Sequence, residues 1–190
     1  MKIWNVAAAV TAASIVAIPA ANAETLAEIK ERGQLNCGIN TGLAGFAFTD
    51  ADGNWQGFDV ALCKAIAAAV FGDPDAVEYT SLTGKTRFTA LGSGEVDVLS
   101  RNTTWTLSRD VDLKLDFQGV NYYDGQGFMI PKSLGVSSAL ELDGATVCIQ
   151  TGTTTELNLA DFFRANNMSY EPVPIETNAE AQQKYLAEAC

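Results

Sequence analysis

The chain has 190 residues, 47% of them hydrophobic, and a formal net charge of -11 at pH 7; this is the composition of a globular protein with a pI near 4.3. Binding to a phosphate backbone needs clustered Lys and Arg, so nucleic acid is excluded as a partner. Histidine is absent, which removes Ser-His and Cys-His nucleophile pairs, and no metal or other cofactor is expected.

The N-terminus reads MKIWNVAAAVTAASIVAIPAANAET. One lysine, an apolar run over residues 3–18, Pro19 and then Ala21-Asn22-Ala23 give a secretory signal peptide over residues 1–23, with cleavage after Ala23. Export places the four cysteines in an oxidising compartment. Of their three possible pairings, Cys37 with Cys63 and Cys148 with Cys190 is favoured, because each bridge then closes a loop within one half of the chain. Each loop contributes about 3 to 4 kcal/mol on the chain-entropy model.

After the signal sequence, TLAEIKERG is a short helix and QLNCGIN a strand with Leu35, Cys37 and Ile39 on one face. DADGN is a hairpin tip. GFDVALCKAIAAAVFGDPD is a helix with Phe58, Leu62, Ile66 and Val70 along one face, ended by Gly72 and Pro74. VEYTSL is a strand, TGKTRFTALGSGE a short helix and VDVLS a strand, the alternation of an open sheet with crossover helices. An aromatic, extended segment, LDFQGVNYYDGQGFMIP, follows. Beyond Pro131 the alternation resumes: SSALELDGA helix, TVCIQ strand, TTELNLADFFRANN helix, SYEPVPI strand and ETNAEAQQKYLAEA helix. Two α/β lobes are expected, residues 24–124 and 125–190, joined near 121–132. The second is expected to be incomplete, since about 60 residues make only a marginal core.

Three stretches have residues placed for binding. SRNTTWTLSRD begins at the carboxyl end of VDVLS, where ligands sit in open α/β sheets. Arg109 offers a planar fork suited to a carboxylate, with the hydroxyls of Thr103, Thr104 and Thr106 nearby; a surface pair with Asp110 or Asp112 accounts for it equally well. CIQTGTTTEL runs from a strand through a threonine-rich turn into a helix whose N-terminus can receive an anion, while Thr153 with Glu156 also makes a plain capping box. INTGLAGFAF puts Asn40 and Thr41 at a strand end, with Phe46 and Phe48 as a pocket wall or as core. Tyr122, Tyr123 and Phe128 read as packing between the lobes. No acidic pair stands out as a general acid and base.

Taken together, TLAEIKERGQLNCGINTGLAGFAF, GFDVALCKAIAAAVFG, FTALGSGEVDVLSRNTTWTLSRD, YYDGQGFMI and DGATVCIQTGTTTELNLADFFRANN resemble the periplasmic general L-amino-acid-binding proteins of ABC transporters, within solute-binding protein family 3. The resemblance implies a two-lobed α/β clamp of the type II periplasmic-binding-protein kind. Such a clamp closes on a free L-amino acid, with broad specificity, and delivers it to a membrane permease without catalysis. It implies that Arg109, in T-x-x-R with Thr106, grips the α-carboxylate. Arg101, Asn102 and Thr104 line the same pocket; for Arg101, contact with the ligand and a preference for acidic side chains are alternative roles. Asn40, Leu43 and Phe46 form the side-chain pocket, and Gln150, Thr153 and Thr154 the opposing jaw. In the family an acidic residue for the α-ammonium comes from later in the second lobe, beyond Cys190. An exported dehydratase-like enzyme on the same fold and a ligand-sensing receptor domain are the alternatives.

Overall fold

The computed structural model describes residues 26–190; the expected signal peptide and its cleavage site lie outside the described residues. Strand β1 (Leu35–Asn40) is the middle of a three-stranded parallel sheet. On one side it pairs along its whole length with β4 (Val77–Leu82), Leu35 opposite Val77 and Asn40 opposite Leu82. On the other it pairs with β5 (Val98–Leu99), which is only two residues long, so the predicted strand VDVLS leaves the ladder early. All three strands therefore point their carboxyl ends the same way.

Alternation along β1 divides the packing. Leu35, Cys37 and Ile39 face α2 (Phe58–Phe71) and form a core with Val60, Cys63 and Ala67. The opposite face, at Gly38, has no room for a side chain: a Cβ there would lie 2.6 Å from Leu99 and 2.8 Å from Leu82. Leu82, Val96 and Ala90 of α3 (Arg87–Gly92) cover it, giving helix on both faces of the sheet. The disulfide Cys37–Cys63 joins β1 to α2, with both cysteines fully buried.

That bridge corrects the expected orientation of α2. The buried side of the helix is Asp59, Val60, Cys63 and Ala67, whereas Phe58 and Leu62 are exposed. FDVALCKAIAAAVF is apolar nearly all round, so an i, i+4 stripe does not single out one face. The sulfur bond does. Between β1 and α2, the hairpin β2 (Phe48–Thr49) and β3 (Trp55–Gln56) forms around the predicted tip, with Asp50 accepting from the backbone N–H groups of Asp52 and Asn54. Gly57, at φ 118°, enters α2 so close to the hairpin that a Cβ would lie 2.2 Å from the Phe46 carbonyl oxygen, a position only glycine fits.

After β5 come the five-residue α4 (Leu107–Val111) and a long irregular stretch. Tyr122 in that stretch packs edge-on against Phe46 at 5.0 Å, and Phe128 packs against Phe162 and Phe163. The second sheet is parallel β6 (Ala145–Gln150) with β7 (Tyr170–Ile175), Gln150 opposite Ile175. On it lie α5 (Thr154–Ala165), which buries Leu159 and Phe163 beside Ile149 and Leu142, and α6 (Asn178–Leu186). The predicted helix SSALELDGA is only a 3-10 turn at Ala139–Glu141, too short to nucleate an α-helix before Gly144. Cys148–Cys190 closes the second bridge. Among the described residues, no helix is long and apolar enough to cross a membrane.

Candidate ligand-binding site

The carboxyl ends of β1, β4 and β5 converge on a buried polar cluster: Asn40, Asp59, Arg87, Ser100, Arg101 and Arg109, all nine-tenths or more buried. Asn40 ends β1 and donates from Nδ2 to Asn102 Oδ1 at 2.8 Å. Its own Oδ1 accepts from the backbone N–H of Gly42 at 2.9 Å, a contact that fixes which end of the amide is which. Asn102 Oδ1 also accepts from Arg101 Nη2 at 3.1 Å. Arg101 then reaches across the sheet to donate from Nη1 to the carbonyls of Leu82 and Thr83, at 2.5 and 3.0 Å.

Arg109 lies on α4, whose first turn is capped by the Thr106 hydroxyl accepting from the Arg109 backbone N–H at 3.2 Å. The guanidinium turns inward, donates from Nη1 to the Thr104 carbonyl at 2.7 Å, and sits over the Phe88 ring at 5.1 Å. It forms no ion pair with Asp110 or Asp112. Asp110 instead accepts from Trp105 Nε1 at 2.8 Å.

Charge in this cluster is lopsided. Arg87, Arg101 and Arg109 are buried together, with Asp59 the one carboxyl in the cluster. Burial, helped by repulsion from Arg101 and Arg109, lowers Arg87 to about 9; burial and Arg109 lower Arg101 to about 10 against the opposing pull of Asp59. All remain cations at neutral pH. Burial pushes Asp59 up to about 6, and Arg101 offsets only part of that. Asp59 Oδ2, Thr103 Oγ1 and the Nε groups of Arg87 and Arg101 are buried with no hydrogen-bond partner. The Thr103 hydroxyl and the two arginine Nε groups are donors, costly to leave unpaired, and an anion is the chemical species they suit.

The turn after β6 faces this cluster. Thr104 Oγ1 and Thr154 Oγ1 are 3.1 Å apart. Thr153 is the N-cap of α5: its hydroxyl accepts from Glu156 N and donates to the Gln150 carbonyl. Glu156 reaches back to the Gly152 N–H rather than to that of Thr153. The Gln150 side chain donates to the Glu176 carbonyl at 2.7 Å. Further out, the Phe46 ring packs on Phe58 and Tyr122, and Leu43 bridges Ala47 through the backbone. The fold thus unites Asn40, Arg101, Asn102, Thr104, Arg109 and Thr154, with Leu43 and Phe46 at the margin and Gln150 and Thr153 bonded within their own turn.

Three members of the cluster lack a distinctive signature in the sequence. Asp59 and Ser100 are tied together, Ser100 Oγ donating to the Asp59 carbonyl at 2.8 Å. Arg87 is 1% exposed and begins α3 directly beyond β4. Its place after a strand's carboxyl end was the available signal, the same one that marked Asn40 and Arg101.

Two parallel α/β sheets whose connecting turns meet over buried cations define a solute-binding clamp of the type II kind. A family model described as "Bacterial extracellular solute-binding proteins, family 3" matches residues 35–185, and the chain belongs to that family. It is 71% identical over 171 residues to the glutamate/glutamine/aspartate/asparagine-binding protein BztA of Rhodobacter capsulatus, covering 90% of this chain and 51% of that one. It is 58% identical over 191 residues to the general L-amino acid-binding periplasmic protein AapJ of Rhizobium johnstonii, covering 100% and 56%. Among solved structures, a periplasmic binding protein of an ABC transporter from Brucella ovis with glutathione bound superposes with a TM-score of 0.83 at 58% identity, over 89% of this chain and 53% of that one. The chain spans about half the length of the curated relatives it matches.

Proposed function

We propose that this chain is substrate-binding machinery of an amino-acid ABC transporter, exported to the periplasm, where it binds a free L-amino acid and presents it to the membrane permease. It binds and does not catalyse. The observation that carries the reading is Arg109: a guanidinium 7% exposed, held at one nitrogen by the Thr104 carbonyl, with no ion-pair partner among the described residues. A ligand α-carboxylate fits its free edge, and Arg101, Asn102 and Thr104 line the same place. Asn40, Leu43 and Phe46 then border the ligand side chain, and Gln150, Thr153 and Thr154 form the facing jaw. In this reading the lobes divide at residues 24–124 and 125–190. The names of the relatives, with glutamate, glutamine, aspartate and asparagine in one and general L-amino acids in another, support a broad substrate range.

Calorimetric titration of the protein expressed from its own gene with these four amino acids tests the proposal. Saturable binding is expected, and Arg109→Ala should weaken it by about 2 to 5 kcal/mol, the cost of leaving one member of a buried charge pair alone. A folded protein that binds none of the four would overturn it.

A further inference from the structure

Arg87 does something that no other arginine of the cluster does: its two nitrogens hold backbone carbonyls from both sheets. Nη1 donates to Asn102 O, in the loop after β5, at 3.4 Å, and Nη2 donates to Gly152 O, in the turn after β6, at 3.1 Å. Its guanidinium lies 4.6 Å from the centre of the Phe88 ring, the ring that Arg109 also covers. We infer that Arg87 is the clasp of the clamp, a positioning residue that fastens the turn after β6 onto the carboxylate-binding end of the first sheet; this rests on the amino-acid-binding reading above.

The surroundings are built for such a contact. Backbone meets backbone beside it: a Cβ on Gly84 would lie 2.7 Å from Thr151 O, and one on Gly152 would lie 3.0 Å from Gly84 O. No side chain separates the two units at this point. Two other links across the seam, the Lys85–Glu176 pair at 2.9 Å and the Thr104–Thr154 contact, are exposed and hold weakly, and a third, Asn178 Nδ2 donating to Gly42 O at 3.1 Å, is neutral and only partly buried. The Arg87 bond is charge-assisted and shielded from water, so it is the stronger tie.

Electrostatics connects the clasp to the ligand. Arg87 feels the charge of Arg101 and Arg109 as repulsion. A carboxylate held by Arg109 adds a negative charge among the three guanidiniums and relieves that repulsion. Ligand and clasp therefore favour each other, and by linkage the loss of the clasp must weaken the bound state. Opening is the step that releases ligand, so the effect falls on dissociation.

The test compares wild type, Arg87→Met, Arg87→Lys and Gly84→Ala by stopped-flow binding of L-glutamate and by small-angle scattering with and without it. Arg87→Met should dissociate glutamate about tenfold faster with an association rate changed less than about threefold. Its ligand-induced compaction should shrink, and Arg87→Lys should recover part of both. Gly84→Ala leaves every charge in place but wedges the seam, so it should show the same fast dissociation even if Arg87→Met fails to fold. Wild-type dissociation and compaction in folded Arg87→Met and Gly84→Ala overturn the clasp while leaving amino-acid binding intact. Loss of association in Arg87→Met with compaction preserved also overturns it, since Arg87 would then be a direct ligand contact. A wild-type protein that binds none of the four amino acids overturns the clasp together with the function it rests on.

Discussion

Asn40 and Asn102 are joined amide to amide at 2.8 Å, which ties the end of the central strand to the loop that carries the arginines. Each amide has a second donor fixing its orientation, Gly42 N–H on Asn40 and Arg101 on Asn102. Asn40→Ala removes the donor to Asn102 and strands the Gly42 N–H. The expected cost is about 1 to 3 kcal/mol of stability. Urea denaturation measures it, and an unchanged midpoint would show that the amide pair contributes nothing.

Arg109→Lys keeps the charge but not the fork. One nitrogen of Arg109 is already committed to Thr104 O, so a point charge on a flexible stem cannot both hold that carbonyl and present paired donors to a carboxylate. We expect amino-acid affinity to fall at least about tenfold, with the fold intact by circular dichroism. Wild-type affinity in this variant would remove the bidentate role.

Asp59 makes stability depend on pH in an unusual direction. Its folded carboxyl titrates near 6 against an ordinary 3.8. Between those values the native state holds more protons than the unfolded one, so this group's contribution falls as pH rises from about 4 to about 6 and stays low above. The difference amounts to about 3 kcal/mol. Asp59→Asn, which mimics the protonated form, should melt higher than wild type near neutral pH, and the gap should close at about pH 4. Parallel melting curves across that range would show that Asp59 does not ionise at such cost.

Replacing both Cys37 and Cys63 by alanine removes a bridge that spans a sequence separation of 26 and is buried at both ends. A loss of about 3 kcal/mol or more is expected from the chain-entropy term alone. Equilibrium denaturation of the double variant checks it.

Much of this could be read before any coordinates. Most of the strand and helix alternation and the hairpin tip at DADGN rest on local signals, which survive folding except at SSALELDGA, and both cysteine pairings follow from keeping each bridge within one half of the chain. The orientation of α2 did not, because fourteen nearly all-apolar residues offer several equivalent stripes and a bond to β1 selects among them. In the cluster, Arg101 and Arg109 stood out because they share one polar loop. Arg87 and Asp59 sit in segments that look like ordinary helix starts, and their burial comes from the convergence of three strand ends, which no single stretch of sequence displays.

Cys37 and Asn40 are three residues apart on the same strand, and successive side chains there point to opposite faces. One is fastened to α2, the other reaches toward the arginines. The sulfur bond at Cys37 therefore serves as a registration pin: with β1 unable to slide past its helix, the amide of Asn40 arrives at a fixed height in the cleft. Oxidation of two thiols on the helix side of β1 thereby sets the depth of the polar cluster.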